Sequence, residues 1–212
     1  MTKIIIVRHG ESESNRTHSL AGFIDLDLTD VGYKQAEETA AHLANVKIDA
    51  VYSSSLQRAM HTAEPNAKRR GLSVIACDEL REMYCGEWEG KRVADLAVEY
   101  PETYGEVFLK HFGVSRADGG ESAIECGNRV YQKILEIAKR HVGQTVLVVS
   151  HGGSIRMFWA MISGISAEEL NNENQPWPSN ASYSTVLFDG ERLIPHEFSN
   201  DSHMTTVTQV HV

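Results

Sequence analysis

Lys3-Ile4-Ile5-Ile6-Val7-Arg8-His9-Gly10-Glu11-Ser12 runs from an apolar tract straight into a polar loop. The tract is mostly β-branched and shows no polar alternation, the pattern of a strand buried on both faces. Thr145-Val146-Leu147-Val148-Val149 repeats it, and Ser150-His151-Gly152-Gly153 follows. Both continuous strands therefore lead into a histidine and a glycine. Residues 49–53 and 72–76 are shorter strands of the same kind.

Between these strands the spacing predicts helices over 33–44, after the cap Thr29, and over 56–70, 91–100 and 124–141. The last is the best defined. Ser122-Ala123-Ile124-Glu125 is a capping box, Val130, Ile134, Ile137 and Ala138 share one face, and Gly143 stops the helix. Strands alternating with helices predict an α/β fold, a three-layer α/β/α sandwich on a mostly parallel central sheet. Ligands in such folds sit beyond the carboxyl ends of the strands. From Ser182 two alternating runs around Asp189-Gly190 read as a hairpin that extends the sheet antiparallel at one edge. No repeat or linker interrupts the 212 residues, so one domain over 1–212 is expected.

With 42% hydrophobic and 23% charged residues the chain has the composition of a packed globule. Its net charge of −9 argues against nonspecific nucleic-acid or anionic-membrane binding, so an anionic ligand needs a locally positive pocket. Cys77, Cys85 and Cys126 form no CxxC pair and suit a reduced compartment. Residues 1–7 are too short an apolar run for a secretory signal, and 146–167 carries His151, Arg156 and glycines, which excludes a membrane span. A cytoplasmic location is the resulting expectation.

Arg8-His9-Gly10-Glu11-Ser12-Glu13-Ser14-Asn15 gathers a guanidinium, an imidazole, a glycine, hydroxyls and an amide in one loop at a strand end, the inventory of a phosphate cradle. A polar loop whose histidine merely satisfies buried backbone groups is the alternative. His151 at the end of the second strand would face the same crevice. Arg58 lies at a strand-to-helix turn, where free N–H groups and the helix dipole favour an anion. Glu82 precedes Cys85-Gly86-Glu87-Trp88-Glu89-Gly90, where any single glutamate is more often a surface charge than a catalyst.

Together these segments resemble the histidine phosphatase superfamily, the phosphoglycerate mutase-like enzymes, over nearly the whole chain. The resemblance rests on five stretches in order: Arg8-His9-Gly10-Glu11-Ser12 with Asn15; Gly22, Asp25, Leu28-Thr29, Gly32 and Gln35-Ala36; Tyr52-Ser53-Ser54 with Leu56, Arg58, Ala59, Thr62 and Ala63; Leu80, Glu82, Gly86 and Trp88-Glu89-Gly90; and Val148-Val149-Ser150-His151-Gly152. It implies that His9 is the nucleophile forming a phosphohistidine, and that Glu82 is the general acid and then base. Arg8, Ser12, Asn15, Ala21, Gly22, Arg58, His151 and Gly152 would surround the phosphate. A phosphate ester carries about −1.5 to −2 charges near neutral pH, which Arg8, Arg58 and a protonated His151 would balance without metal or cofactor.

Mutases of this family resemble one another in a longer insertion before the second histidine and in an Arg and a Tyr-Gly after the glutamate. Here the gap is short and Met83-Tyr84-Cys85-Gly86 follows Glu82, as in the phosphatase branch. The expectation is a phosphomonoesterase acting on a small phosphorylated metabolite. Three alternatives stand beside it: a 2,3-bisphosphoglycerate-dependent mutase, a phosphoryl-binding module without turnover, and a metallohydrolase, which would have no HExxH or HxH signature here. Ala21 stands where relatives often carry a polar side chain. Residues 83–120 would form a cap, with Phe23, Tyr84, His111 and Phe112 lining it or packing in the core. Met157, Trp159, Met161 and Pro176-Trp177-Pro178 belong either to the core or to the interface of a homodimer.

Overall fold

The computed structural model describes residues 1–104, 119–166, 169–170 and 174–208. In chain order its elements are β1 (Thr2–Arg8), α1 (Glu13–Thr17), α2 (Asp30–His42), β2 (Ala50–Ser54), α3 (Gln57–Lys68), β3 (Val74–Cys77), α4 (Val93–Glu99), α5 (Pro101–Tyr104), α6 (Ala123–Arg140), β4 (Thr145–Ser150), α7 (Gly152–Ile162), β5 (Tyr183–Phe188) and β6 (Leu193–Asn200). The sheet order is β3-β2-β4-β1-β5-β6. β3, β2, β4 and β1 run parallel, and β5 and β6 continue the sheet antiparallel. This is the mostly parallel sheet with an antiparallel edge that the sequence predicts.

Alternate residues of the two central strands feed two separate cores. Ile4, Ile6, Val146 and Val148 pack with Val130, Ile134 and Ile137 of α6 and with Ile155, Phe158 and Trp159 of α7. Ile5, Val7, Leu147 and Val149 pack on the other face with Ala59, Ala63 and Ala67 of α3 and with Leu43. Each fully buried aliphatic side chain contributes about 1.5–3 kcal/mol relative to an exposed one, so both faces resist any one-residue slip of register.

Several expectations shift. The predicted helix over 91–100 is shortened to Val93–Glu99 because Pro101 follows Tyr100 and bars helical backbone there. α7 is unexpected: every residue from Gly152 to Ala160 is buried, so it lacks the one-sided apolar stripe that marks a surface helix. Met157 and Trp159 are core residues, whereas Met161 is exposed. His111 and Phe112, with residues 105–118 of the expected cap, lie outside the described residues. Among the described residues no helix is long and apolar enough to cross a membrane.

The loop after β1 is pressed against the first turn of α2. Thr29 Oγ1 caps that helix by accepting the Gly32 N–H at 3.1 Å. Gln35 Oε1 accepts the Glu11 N–H at 2.8 Å. A Cβ on Gly32 would stand 2.0 Å from Glu11 O, and one on Gly10 would stand 2.5 Å from Gly32 O. Backbone meets backbone here, leaving no flexible atom to yield. Gly32→Ala is therefore expected to lower stability by about 1–3 kcal/mol in urea unfolding. An unchanged midpoint would mean that the crossing is looser than described.

Candidate active site

Parallel pairing of β1 with β4 sets Arg8 opposite Ser150, so the next residue of each strand leaves the sheet at the same edge. The His9 and His151 ring centroids lie 5.1 Å apart. The His9 N–H donates to Ser150 O at 2.9 Å, fixing the two strand ends to each other.

His9 is buried, with Nδ1 at 2.7 Å from Gly10 O. A carbonyl can only accept, so Nδ1 carries the hydrogen and Nε2 keeps its lone pair. Burial, then Arg58, then Arg8, hold this ring well below the ordinary histidine value. His151 is fully buried. Arg58 Nε donates to its Nδ1 at 3.2 Å, which leaves Nε2–H to donate to Ser54 Oγ at 2.7 Å. The protonated His151 implied by the sequence is thus corrected. Its Nδ1 lone pair is already the acceptor for a cation, and burial, Arg58, His9 and Arg8 all lower its pKa.

The two arginines are almost wholly buried, and neither forms an ion pair among the described residues. Arg8 Nη1 donates to Pro178 O, while its Nε has no hydrogen-bond partner among the described residues. Burial lowers Arg8 to about 10, so it remains charged at neutral pH. Arg58 Nη1 and Nη2 donate to Ile24 O and Gly22 O at 2.8 Å each. Each of these nitrogens carries a second hydrogen beyond those bonds. Two buried charges without carboxylate partners are costly, and a bound anion would offset that cost.

Arg8, His9, Asn15, Ala21, Gly22, Arg58, Glu82 and Gly152 line one pocket of about 580 Å³, its open mouth included. Ser12 and the His151 ring stand behind its wall. Ser12 Oγ is taken by Ser14 Oγ and Asn15 Oδ1 at 3.0 Å each. Asn15 Oδ1 also accepts from Asn180 Nδ2 at 3.0 Å, so the amide nitrogen of Asn15 is its remaining polar end. Glu82 enters from the other side. Its Oε1 accepts from the N–H groups of Met83 and Ser154 at 2.8 and 2.9 Å, with Ser154 Oγ 3.2 Å away; its Oε2 accepts from the Gly153 N–H at 3.0 Å. Oε2 therefore keeps a lone pair that can carry a proton. A Cβ on Gly153 would lie 2.7 Å from Oε1, so only glycine lets the carboxyl approach.

The profile of the histidine phosphatase superfamily (branch 1) matches residues 4–201. The chain belongs to this family. It is 34% identical over 207 residues to phosphoserine phosphatase 1 of Hydrogenobacter thermophilus, covering 96% of this chain and 95% of that one. The metal-independent phosphoserine phosphatase of Arabidopsis thaliana is 34% identical over 210 residues, 98% of this chain and 85% of its own. A 2,3-bisphosphoglycerate-dependent phosphoglycerate mutase of Bartonella quintana is 30% identical over 212 residues, 97% and 96% of the two chains. Among solved structures, a mutant phosphoserine phosphatase from Entamoeba histolytica in complex with phosphoserine superposes with a TM-score of 0.84 at 26% identity, covering 96% of this chain and all of that one. The expected family and fold are met, and with them the reaction class, phosphoric monoester hydrolysis.

In this histidine phosphatase some pocket residues carry no signal in the sequence. Trp177 lines the wall, stacked on Arg156 with 4.9 Å between Cζ and the ring centroid, whereas the sequence left it between core and interface. Asn180 is buried and donates to both His9 O and Asn15 Oδ1. Gly10 N–H donates to Thr62 Oγ1 at 3.0 Å. Trp88 is buried against Met83, Cys85, Leu96 and Cys126, beneath the wall rather than on it. No group of His, Cys, Asp and Glu among the described residues is arranged to hold a metal ion.

Both site histidines refuse protons that the unfolded chain accepts. The sign follows: their contribution to stability is whole above the unfolded value of 6.5 and is lost as pH falls below it. Nitrogen-15 histidine NMR is expected to find His9 and His151 neutral at pH 6. Either ring charging at 6.5 or above would contradict the electrostatics described.

Proposed function

We propose that this histidine phosphatase hydrolyses small phosphate monoesters, phosphoserine first among those to test, through a phosphohistidine on His9. The reading is carried by one observation: the Nε2 lone pair of His9 shares a pocket with two buried guanidiniums that form no ion pair among the described residues. A phosphate ester with about −1.5 to −2 charges balances these two cations without a metal. The relatives named phosphoserine phosphatases, and the neighbour with phosphoserine bound, support the substrate class.

In the first half-reaction His9 Nε2 attacks phosphorus, the P–O ester bond breaks, and the leaving alkoxide takes the proton of Glu82. In the second, the Glu82 carboxylate takes a proton from water. The water oxygen bonds to phosphorus, the P–N bond breaks, and inorganic phosphate departs with His9 and Glu82 restored. Arg8 and Arg58 hold the equatorial oxygens, where the transition state spreads its charge. Asn15 and the first turn of α7 at Gly152 add neutral donors and the positive end of a helix dipole. His151 acts through Arg58, whose Nε it accepts, while Ser12 holds Asn15.

We take the chain as one working unit in which the stretch that begins at Met83 caps the pocket, since Met83 and Cys85 line its wall and Tyr84 packs on Phe23 with ring centroids 5.1 Å apart. Cys77 and Cys126 form no disulfide among the described residues, which supports a reducing cytoplasmic location. Pure phosphoryl binding would need neither nucleophile nor acid, yet His9 and Glu82 share the pocket.

His9→Ala is expected to abolish hydrolysis of phosphoserine and of 4-nitrophenyl phosphate in excess chelator. Arg58→Ala is expected to cost roughly a hundredfold to a thousandfold in kcat. Undiminished turnover by His9→Ala would exclude the mechanism, loss of wild-type activity in chelator would reinstate a metal, and isomerisation of 3-phosphoglycerate faster than its hydrolysis would favour a mutase.

A further inference from the structure

Glu82 must hold a proton within reach of the leaving oxygen, yet it belongs to no helix or strand. It lies between single 3-10 turns at Asp78–Leu80 and Gly86–Trp88. The carbonyls of such a stretch need donors from elsewhere. Ser150 Oγ donates to Leu80 O at 2.8 Å and Ser154 Oγ to Arg81 O at 2.7 Å. Three further donations come from one side chain of α6. Arg129 Nη1 donates to Glu79 O and Arg81 O at 2.9 and 3.0 Å, and Nη2 donates to Glu82 O at 3.1 Å.

The same guanidinium forms a two-pronged pair with Glu121, Nε to Oε1 at 2.8 Å and Nη2 to Oε2 at 2.6 Å. Glu121 then reaches past Glu82. Its Oε2 accepts the Tyr84 N–H at 2.9 Å, and its own N–H donates to Tyr84 O at 2.9 Å. The pair thus holds the chain on both sides of Glu82, and neither member lines the pocket. Both side chains are only 21% exposed, so the pair is sheltered from the solvent screening that weakens surface ion pairs.

We propose that Arg129 and Glu121 are positioning residues that set the Glu82 carboxyl at the height of the leaving oxygen. This rests on the reading of Glu82 as general acid. A lysine at 129 supplies the charge but not a planar fork able to serve three carbonyls and a carboxylate together.

The test compares kcat/KM, which reports steps up to alcohol release, for phosphoserine and for 4-nitrophenyl phosphate. An alkoxide needs a proton to leave, whereas nitrophenolate leaves without one. Glu82→Gln sets the scale and is expected to lose about a hundredfold more on phosphoserine than on the aryl ester. Arg129→Ala is expected to show the same skew, at least about tenfold. Arg129→Lys should recover part of it, and Glu121→Gln should show a smaller skew in the same direction. Circular dichroism and the thermal midpoint report folding; if Arg129→Ala does not fold, the other two variants decide. Equal losses on both esters in folded variants, or no loss, would overturn the proposal. Absence of skew in Glu82→Gln itself would overturn the general-acid reading and this proposal with it.

Discussion

Two guanidiniums buried with no ion-pair partner among the described residues set the terms for everything around them. Arg8 and Arg58 sit under 4% exposed in a chain whose net charge is −9, so the pocket is positive although the molecule is acidic. Their hydrogen bonds go to dipoles, the carbonyls of Pro178, Ile24 and Gly22 and the Nδ1 lone pair of His151, while the Glu82 carboxylate acts on both through space. Dipoles steady a buried cation without cancelling it, which leaves the field available to an arriving phosphate. Burial first, and then the same field, keep both imidazoles neutral. For His9 neutrality is what leaves the Nε2 lone pair free; for His151 it supplies the acceptor that fixes Arg58.

Such a site needs a rigid frame, because uncompensated charge would otherwise draw in water or a wandering carboxylate. Parallel pairing places two strand ends side by side, and the backbone crossing at Gly10 and Gly32 holds the loop after β1. The first turn of α7 receives Glu82 through the Gly153 and Ser154 N–H groups. The helix that follows β4 therefore serves two parts of the pocket: Gly152 lines it, and the next two residues hold the Glu82 carboxylate.

Much of this was legible in the sequence for identifiable reasons. Strands buried on both faces read as unbroken apolar runs, and β1 and β4 fall within a residue or so of the predicted limits. The capping box at Ser122 and Glu125 marks the start of α6 because both of its bonds are local. α7 escaped because burial on all sides erases amphipathic period. Glu82 could not be told from its neighbours by residue type; resemblance singled it out, while the structure commits Glu89 to the Phe23 and Cys85 N–H groups and Glu79 to Lys133. The charge state of His151 was misjudged because it depends on which nitrogen faces Arg58, and no spacing encodes that. Arg129 gave no signal at all, since its partners are mainly backbone carbonyls, which every residue possesses.

The bond from His9 Nδ1 to Gly10 O assigns the reactive nitrogen, and this can be checked directly. Rapid acid-free quenching of enzyme labelled with nitrogen-15 histidine, followed by phosphorus–nitrogen coupling in the denatured phosphoenzyme, identifies the atom that carries phosphorus. The account requires Nε2 of His9. Phosphorus on Nδ1, on His151 or on any other residue would contradict it.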